Sequence, residues 1–174
     1  MRTLSWESYF SETMDGIVAN DAKNISIRAN DLGWLGASGD RSNLTTGIIA
    51  KGGTTGVIMG NHVKDPLTDG IFVTGAGTDV TVEANTIDVV FAGNLSSSQD
   101  GIDVQTGAVA LVMGNTVNVP AVASGIITKA AAGVQLFNAG GATVVIGNTI
   151  TNPISGIVSR GNGYDIKNNT VIGR

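Results

Sequence analysis

The sequence predicts an all-β solenoid: a parallel β-helix of about six rungs, each built from three short strands. Three observations carry that prediction. A glycine-isoleucine pair returns six times, starting at Gly16, Gly47, Gly70, Gly101, Gly125 and Gly156. An Asn-x-aliphatic triplet follows each pair, at Asn30, Asn61, Asn85, Asn115, Asn148 and Asn169. Aligned on those asparagines, Ile27, Ile58, Val82, Val112, Val145 and Ile166 stand three residues before. Leu32, Val63, Ile87, Val117, Ile150 and Val171 stand two after, so both rows are wholly aliphatic.

Each row defines one strand of the repeat. The first strand starts at the glycine and turns its isoleucine to the core. The second ends in the aliphatic residue before the asparagine, and the third begins just after it. Polar or small residues alternate with these positions at period two, as strands with one buried face require. Three strands per repeat, each adding a layer to a common core, make a parallel β-helix. Glycine spacings of 31, 23, 31, 24 and 31 residues lie in the range of solenoid repeats. The gaps from glycine to asparagine are 14, 14, 15, 14, 23 and 13, which places an insertion in the fifth copy near Ala130 to Ala142.

The asparagine row has two expected roles. Asn tolerates the left-handed bend that turns one strand into the next, and amides stacked about 4.8 Å apart can bond from copy to copy. The residues before it, Ala29, Gly60, Ala84, Gly114 and Gly147, are small and leave room for the bend, Asn168 being the exception. The position after it is Asp31, then His62, then Thr four times, so the single histidine is read as a member of a polar ladder.

Composition agrees with one globular β domain. The 174 residues are 42% hydrophobic and 14% charged, with 25 glycines and 5% aromatics. A net charge of -4 and the lack of a Lys/Arg cluster argue against nucleic acid. Without cysteine there are no disulfides or thiolate zinc sites. No apolar run approaches the roughly 18 residues of a membrane span. Residues 1–15 precede the first repeat, and Leu4 to Phe10, with three aromatics, are a candidate cap for it. The sixth repeat stops soon after Asn169, so both ends read as uncapped. That suggests a module of a longer protein, or copies stacked end to end in a homo-oligomer.

The residue before each repeat glycine is Asp15, Thr46, Asp69, Asp100, Ser124 or Ser155. Asp69 and Asp100 fall in adjacent layers, about 5 Å apart. Two readings of them stand: turn formers bonded to their own backbone, or carboxylates that raise each other's pKa or share a cation such as Ca²⁺. Outward positions form two columns. Val18, Ile49, Phe72, Asp103, Ile127 and Val158 make an apolar one interrupted by an acid, which requires a covering partner or loop. Asn20, Lys51, Thr74, Gln105, Lys129 and Arg160 make a polar one. Asp103, Gln105 and Lys51 are candidate substrate-binding residues, with Lys129 and Arg160 beside them. A surface salt-bridge network is the alternative.

The G-I-x-V, aliphatic and N-x-[TV]-I units from Gly16 onward resemble the right-handed parallel β-helix repeat family, the pectate-lyase-like superfold. The resemblance implies a right-handed coil. It leaves activity open, since such coils carry lyases, hydrolases, epimerases, tailspikes, adhesins and non-catalytic modules. If this chain follows the lyases, it acts on an acidic polysaccharide with Ca²⁺ at Asp69, Asp100 and Asp103, and Lys129 or Arg160 as catalytic base. The segment Ser98-Gln99-Asp100-Gly101-Ile102-Asp103 also resembles the first catalytic motif of polygalacturonases. Their second acid pair is replaced by Ala123-Ser124 and their His-Gly by Ser155-Gly156, so that hydrolase activity is rejected. The expectation is a carbohydrate-binding or scaffold module of a secreted or surface protein, with a lyase, an epimerase, or a tailspike or adhesin shaft as alternatives.

Overall fold

The computed structural model describes residues 15–33, 44–89, 99–119 and 132–173. These residues form eighteen strands in three parallel six-stranded sheets. Numbered in chain order, the first sheet holds β1 (Ile17–Asn20), β4 (Ile48–Lys51), β7 (Asp69–Thr74), β10 (Asp100–Gln105), β13 (Ala132–Phe137) and β16 (Ser155–Arg160). The second holds β2 (Ile25–Arg28), β5 (Thr55–Met59), β8 (Asp79–Glu83), β11 (Val109–Met113), β14 (Val144–Ile146) and β17 (Asp165–Lys167). The third holds β3 (Asp31–Leu32), β6 (His62–Lys64), β9 (Thr86–Asp88), β12 (Thr116–Asn118), β15 (Thr149–Thr151) and β18 (Thr170–Ile172). Each rung thus contributes one strand to each sheet, and six rungs coil around one core.

The aliphatic rows fill that core. Ile48, Ile71 and Ile102 from the first sheet, Ile58, Val82 and Val112 from the second, and Val63, Ile87 and Val117 from the third are all 0% exposed. Burial of one such side chain is worth about 1.5 to 3 kcal/mol. The glycine row has a steric cause. A Cβ on Gly101 would lie 2.5 Å from Val117 Cγ1 and 2.6 Å from the Gly133 carbonyl oxygen. The first strand therefore approaches the third-sheet aliphatic so closely that only hydrogen fits.

Two expectations are corrected. The fifth repeat starts at Gly133, not Gly125. β13 pairs with β10 through Ile102↔Val134, Asp103↔Gln135 and Gln105↔Phe137, and Gly125 lies outside the described residues. With Gly133 as anchor the gap to Asn148 is 15 residues, in line with the other copies. Val134 and Leu136, within the stretch expected to be an insertion, are core residues at 0% exposure. The extra residues of that repeat fall in sequence between β12 and β13, as 34–43 fall between β3 and β4 and 90–98 between β9 and β10. All three segments are outside the described residues, as is the proposed cap Leu4 to Phe10.

The second correction concerns the asparagine. The left-handed residue is the one before it: Ala29, Gly60, Ala84, Gly114, Gly147 and Asn168 have φ between 51° and 66°. Gly60, Gly114 and Gly147 have nothing within 4 Å of a built Cβ, so backbone conformation, not space, selects glycine there. The asparagines instead form the expected ladder. Asn30, Asn61, Asn85, Asn115 and Asn148 each donate from Nδ2 to Oδ1 of the next, at 2.8 to 3.0 Å. At the last rung Ile166, Val171 and Ile172 are exposed.

Candidate functional site

The outer face of the first sheet gathers the acids. Asp69 and Asp100 are paired across β7 and β10, as the stacking argument requires. Strict alternation would put Asp100 and Asp103 on opposite faces. Gly101 and Ile102 break it: a Cβ on Gly101 would point at Val117 in the core, and Ile102 is 0% exposed. Two successive inward positions leave Asp100 and Asp103 both outside. One carboxylate oxygen each from Asp69, Asp100 and Asp103 lie within 4.8 Å of one another.

These carboxylates are buried although they lie outside the coil. Asp100 is 2% and Asp103 4% exposed, while Asp69 is half-buried. Asp100 Oδ1 accepts from the Ala132 backbone N–H at 2.8 Å, and its Oδ2 from Gln135 Nε2 at 3.0 Å. Asp103 Oδ2 accepts from Gln105 Nε2 at 2.8 Å. Asp103 Oδ1 has no hydrogen-bond partner, and neither does the buried Oε1 of Gln99 next to Asp100. Among the described residues no Lys or Arg pairs with the trio.

Burial with too few donors raises the proton affinity of all three. Desolvation, then the charges of Asp103 and Asp100, push Asp69 up to about 8 against the hydrogen bond from Thr68. Desolvation pushes Asp100 up to about 6, with the Ala132 N–H opposing and Asp103 reinforcing it. Asp103 is raised by desolvation against the amides of Gln135 and Gln105. Folded carboxyls with raised pKa values hold protons that the unfolded chain has lost, so their stability is present below about pH 4 and is lost as pH rises toward 8. In chelator-treated protein the unfolding free energy from urea titration is therefore expected to fall from pH 5 to pH 8, by at most about 1.4 kcal/mol per pH unit for each group. Asp69→Asn should flatten that slope; an unchanged slope in the variant would refute the assignment.

The other candidates separate along the sheet. In strand register Asn20, Lys51, Thr74, Gln105, Phe137 and Arg160 form the outer polar column, with Phe137 where the sequence frame expected Lys129. Lys129 and Ile127 lie outside the described residues; Gln135 occupies the position expected for Ile127. Lys51 and Arg160 each stand two rungs from Gln105, about 10 Å away. Phe137 is 39% exposed, and the Arg160 guanidinium lies 5.9 Å from its ring centroid. Of the apolar column, Ile49 is covered at 8% exposure and Val18 is open at 48%.

On the third sheet His62 does join a polar ladder. Its Nε2 lies 2.6 Å from Asp88 Oδ2, and Asn118 Nδ2 donates to Asp88 Oδ1 at 2.8 Å. Desolvation would raise the Asp88 pKa, but these two partners outweigh it and hold it below the usual carboxylate value. This cluster reads as a structural clasp across rungs two to four.

The family model described as "Right handed beta helix region" matches residues 2–131. The chain belongs to that family. Rungs five and six lie beyond the match, yet continue the same three sheets in register. Nothing among the curated proteins or the solved structures matches the chain. Among the described residues no helix is long and apolar enough to cross a membrane. The missing second acid of the polygalacturonase pattern stays missing in the corrected register. Ala132 stands in that layer and Ser155 in the next.

Proposed function

We propose that this β-helix is a binding module of a secreted or surface protein that holds an acidic polysaccharide along the outer face of its first sheet, without cleaving it. The polar column carries the reading: an exposed ring at Phe137 with the Arg160 guanidinium beside it, in line with Gln105 and Lys51. Rings stack on sugar faces, amides bond hydroxyls, and cations pair with uronate carboxylates. Six rungs spaced about 4.8 Å apart run along a chain-like ligand. Asp100 and Asp103, the acids in the segment that resembles a hydrolase motif, are only 2% and 4% exposed.

Affinity electrophoresis in gels containing polygalacturonate, alginate or a neutral glucan tests this. Retardation is expected in the acidic gels, with no rise in the ultraviolet absorbance of unsaturated sugar. Phe137→Ala and Arg160→Ala should each weaken binding about tenfold, the worth of one good contact of about 1.4 kcal/mol. Equal mobility in all gels, or retardation indifferent to both substitutions, would refute the reading.

A further inference from the structure

We infer that Asp69, Asp100 and Asp103 form a buried site for one Ca²⁺ ion, which clasps the third rung to the fourth. The site borders the glycan column at Gln105, which bonds Asp103, but its ion ligands are the three carboxylates and not the Phe137–Arg160 pair, so either reading can fail without the other.

The geometry suits that ion. Ca²⁺ binds oxygen at about 2.3 to 2.6 Å, so two ligand oxygens on opposite sides of it stand about 4.6 to 5.2 Å apart. The three carboxylate oxygens lie within 4.8 Å of one another and can share such an ion where they stand. Mg²⁺ demands a near-ideal octahedron and keeps several waters on one or two carboxylates, which suits a buried trio of carboxylates less well. An all-oxygen donor set favours a hard cation over zinc or copper.

A second observation points to a missing ligand. Asp103 is 4% exposed, yet its Oδ1 has no partner. A buried polar atom left unpaired is costly; no backbone N–H, Lys or Arg among the described residues supplies a partner, and the nearby Gln135 amide makes its hydrogen bond to Asp100 Oδ2. A cation among the three carboxylates would. The neighbouring amides already hold two of the ligands in place, Gln105 on Asp103 and Gln135 on Asp100. Gln135 belongs to β13, so the fifth rung braces the site. Asp69 is the least buried of the three, so the ion's remaining water ligands would stand on its side.

The test uses the full chain, stripped with chelator and titrated with CaCl₂ at pH 7. Calorimetry should show one saturable site with a dissociation constant below about 1 mM. At a hundredfold excess over that constant the melting temperature should rise by about 5 to 10 °C. Asp103→Asn should abolish the binding heat and the thermal shift, while its metal-free form melts no lower than the metal-free parent, since it loses a buried unpaired carboxylate. Phe137→Ala should retain both. Absence of binding heat and thermal shift in the parent up to 10 mM CaCl₂, or full retention of both in Asp103→Asn, would overturn the assignment.

Discussion

Replacing Asn115 by alanine is expected to destabilise the protein by about 4 kcal/mol, a large share of the 5 to 15 kcal/mol that holds a typical domain folded. Asn115 is 1% exposed and sits in the middle of the ladder. Its Nδ2 donates to Val82 O at 2.8 Å and to Asn148 Oδ1 at 2.9 Å. Its Oδ1 accepts from the Asn85 N–H at 2.9 Å and from Asn85 Nδ2 at 3.0 Å. Alanine removes four buried hydrogen bonds at about 1 kcal/mol each: the Asn85 N–H loses its partner, whereas Asn85 Nδ2 keeps Ile58 O and Asn148 Oδ1 keeps the Asn115 N–H. Asn30, at the end of the ladder and half-exposed, is the control: its alanine variant should cost only about 1 kcal/mol, because water replaces what is lost. Urea unfolding of both variants decides the matter. Equal losses would mean that the ladder adds nothing beyond its single bonds.

The same ladder shows how far the fold was legible in the sequence. The aliphatic rows and the asparagines are constraints repeated in every rung, so six copies expose them against a varied background. The left-handed bend was assigned one residue late, because Asn is a familiar bend former and the alanines at 29 and 84 are not. Only the backbone reveals that φ turns positive before the asparagine.

The three acids of the site are legible in the sequence, but the amide beside them is not. Asp69 and Asp100 follow from the glycine alignment and Asp103 from the outward column. Strict period-two alternation would send residues 100 and 103 to opposite faces; the glycine reconciles them, because a residue without Cβ, followed by an inward isoleucine, marks two inward positions in succession. Gln135 escapes the sequence because the frame slips. Gly125-Ile126 imitates the repeat pair perfectly in sequence, and the true fifth copy has Val134 where the others have isoleucine. With the frame shifted, Lys129 took the place that belongs to Phe137.

That frame is itself testable through the other large effect. Gly133→Ala should destabilise the protein by about 3 kcal/mol, the upper end of overpacking costs. The added Cβ would lie 2.4 Å from Ile150 Cγ2, 2.7 Å from Cδ1 and 2.8 Å from Cγ1. Gly133 is not among the residues with positive φ, so alanine fits its backbone and would stiffen the unfolded chain, a gain of about 0.4 to 1 kcal/mol. The clash must exceed that gain for the variant to lose stability, which makes the sign informative. Ile150→Ala alone should cost about 2 to 5 kcal/mol by leaving a cavity. Because Ile150 is the atom group in the way, the double variant should be more stable than the two losses added together, by at least about 1 kcal/mol. If the repeat ran through Gly125 instead, Gly133→Ala would behave as an ordinary surface change, within about 0.5 kcal/mol of the parent, and the double variant would show no coupling.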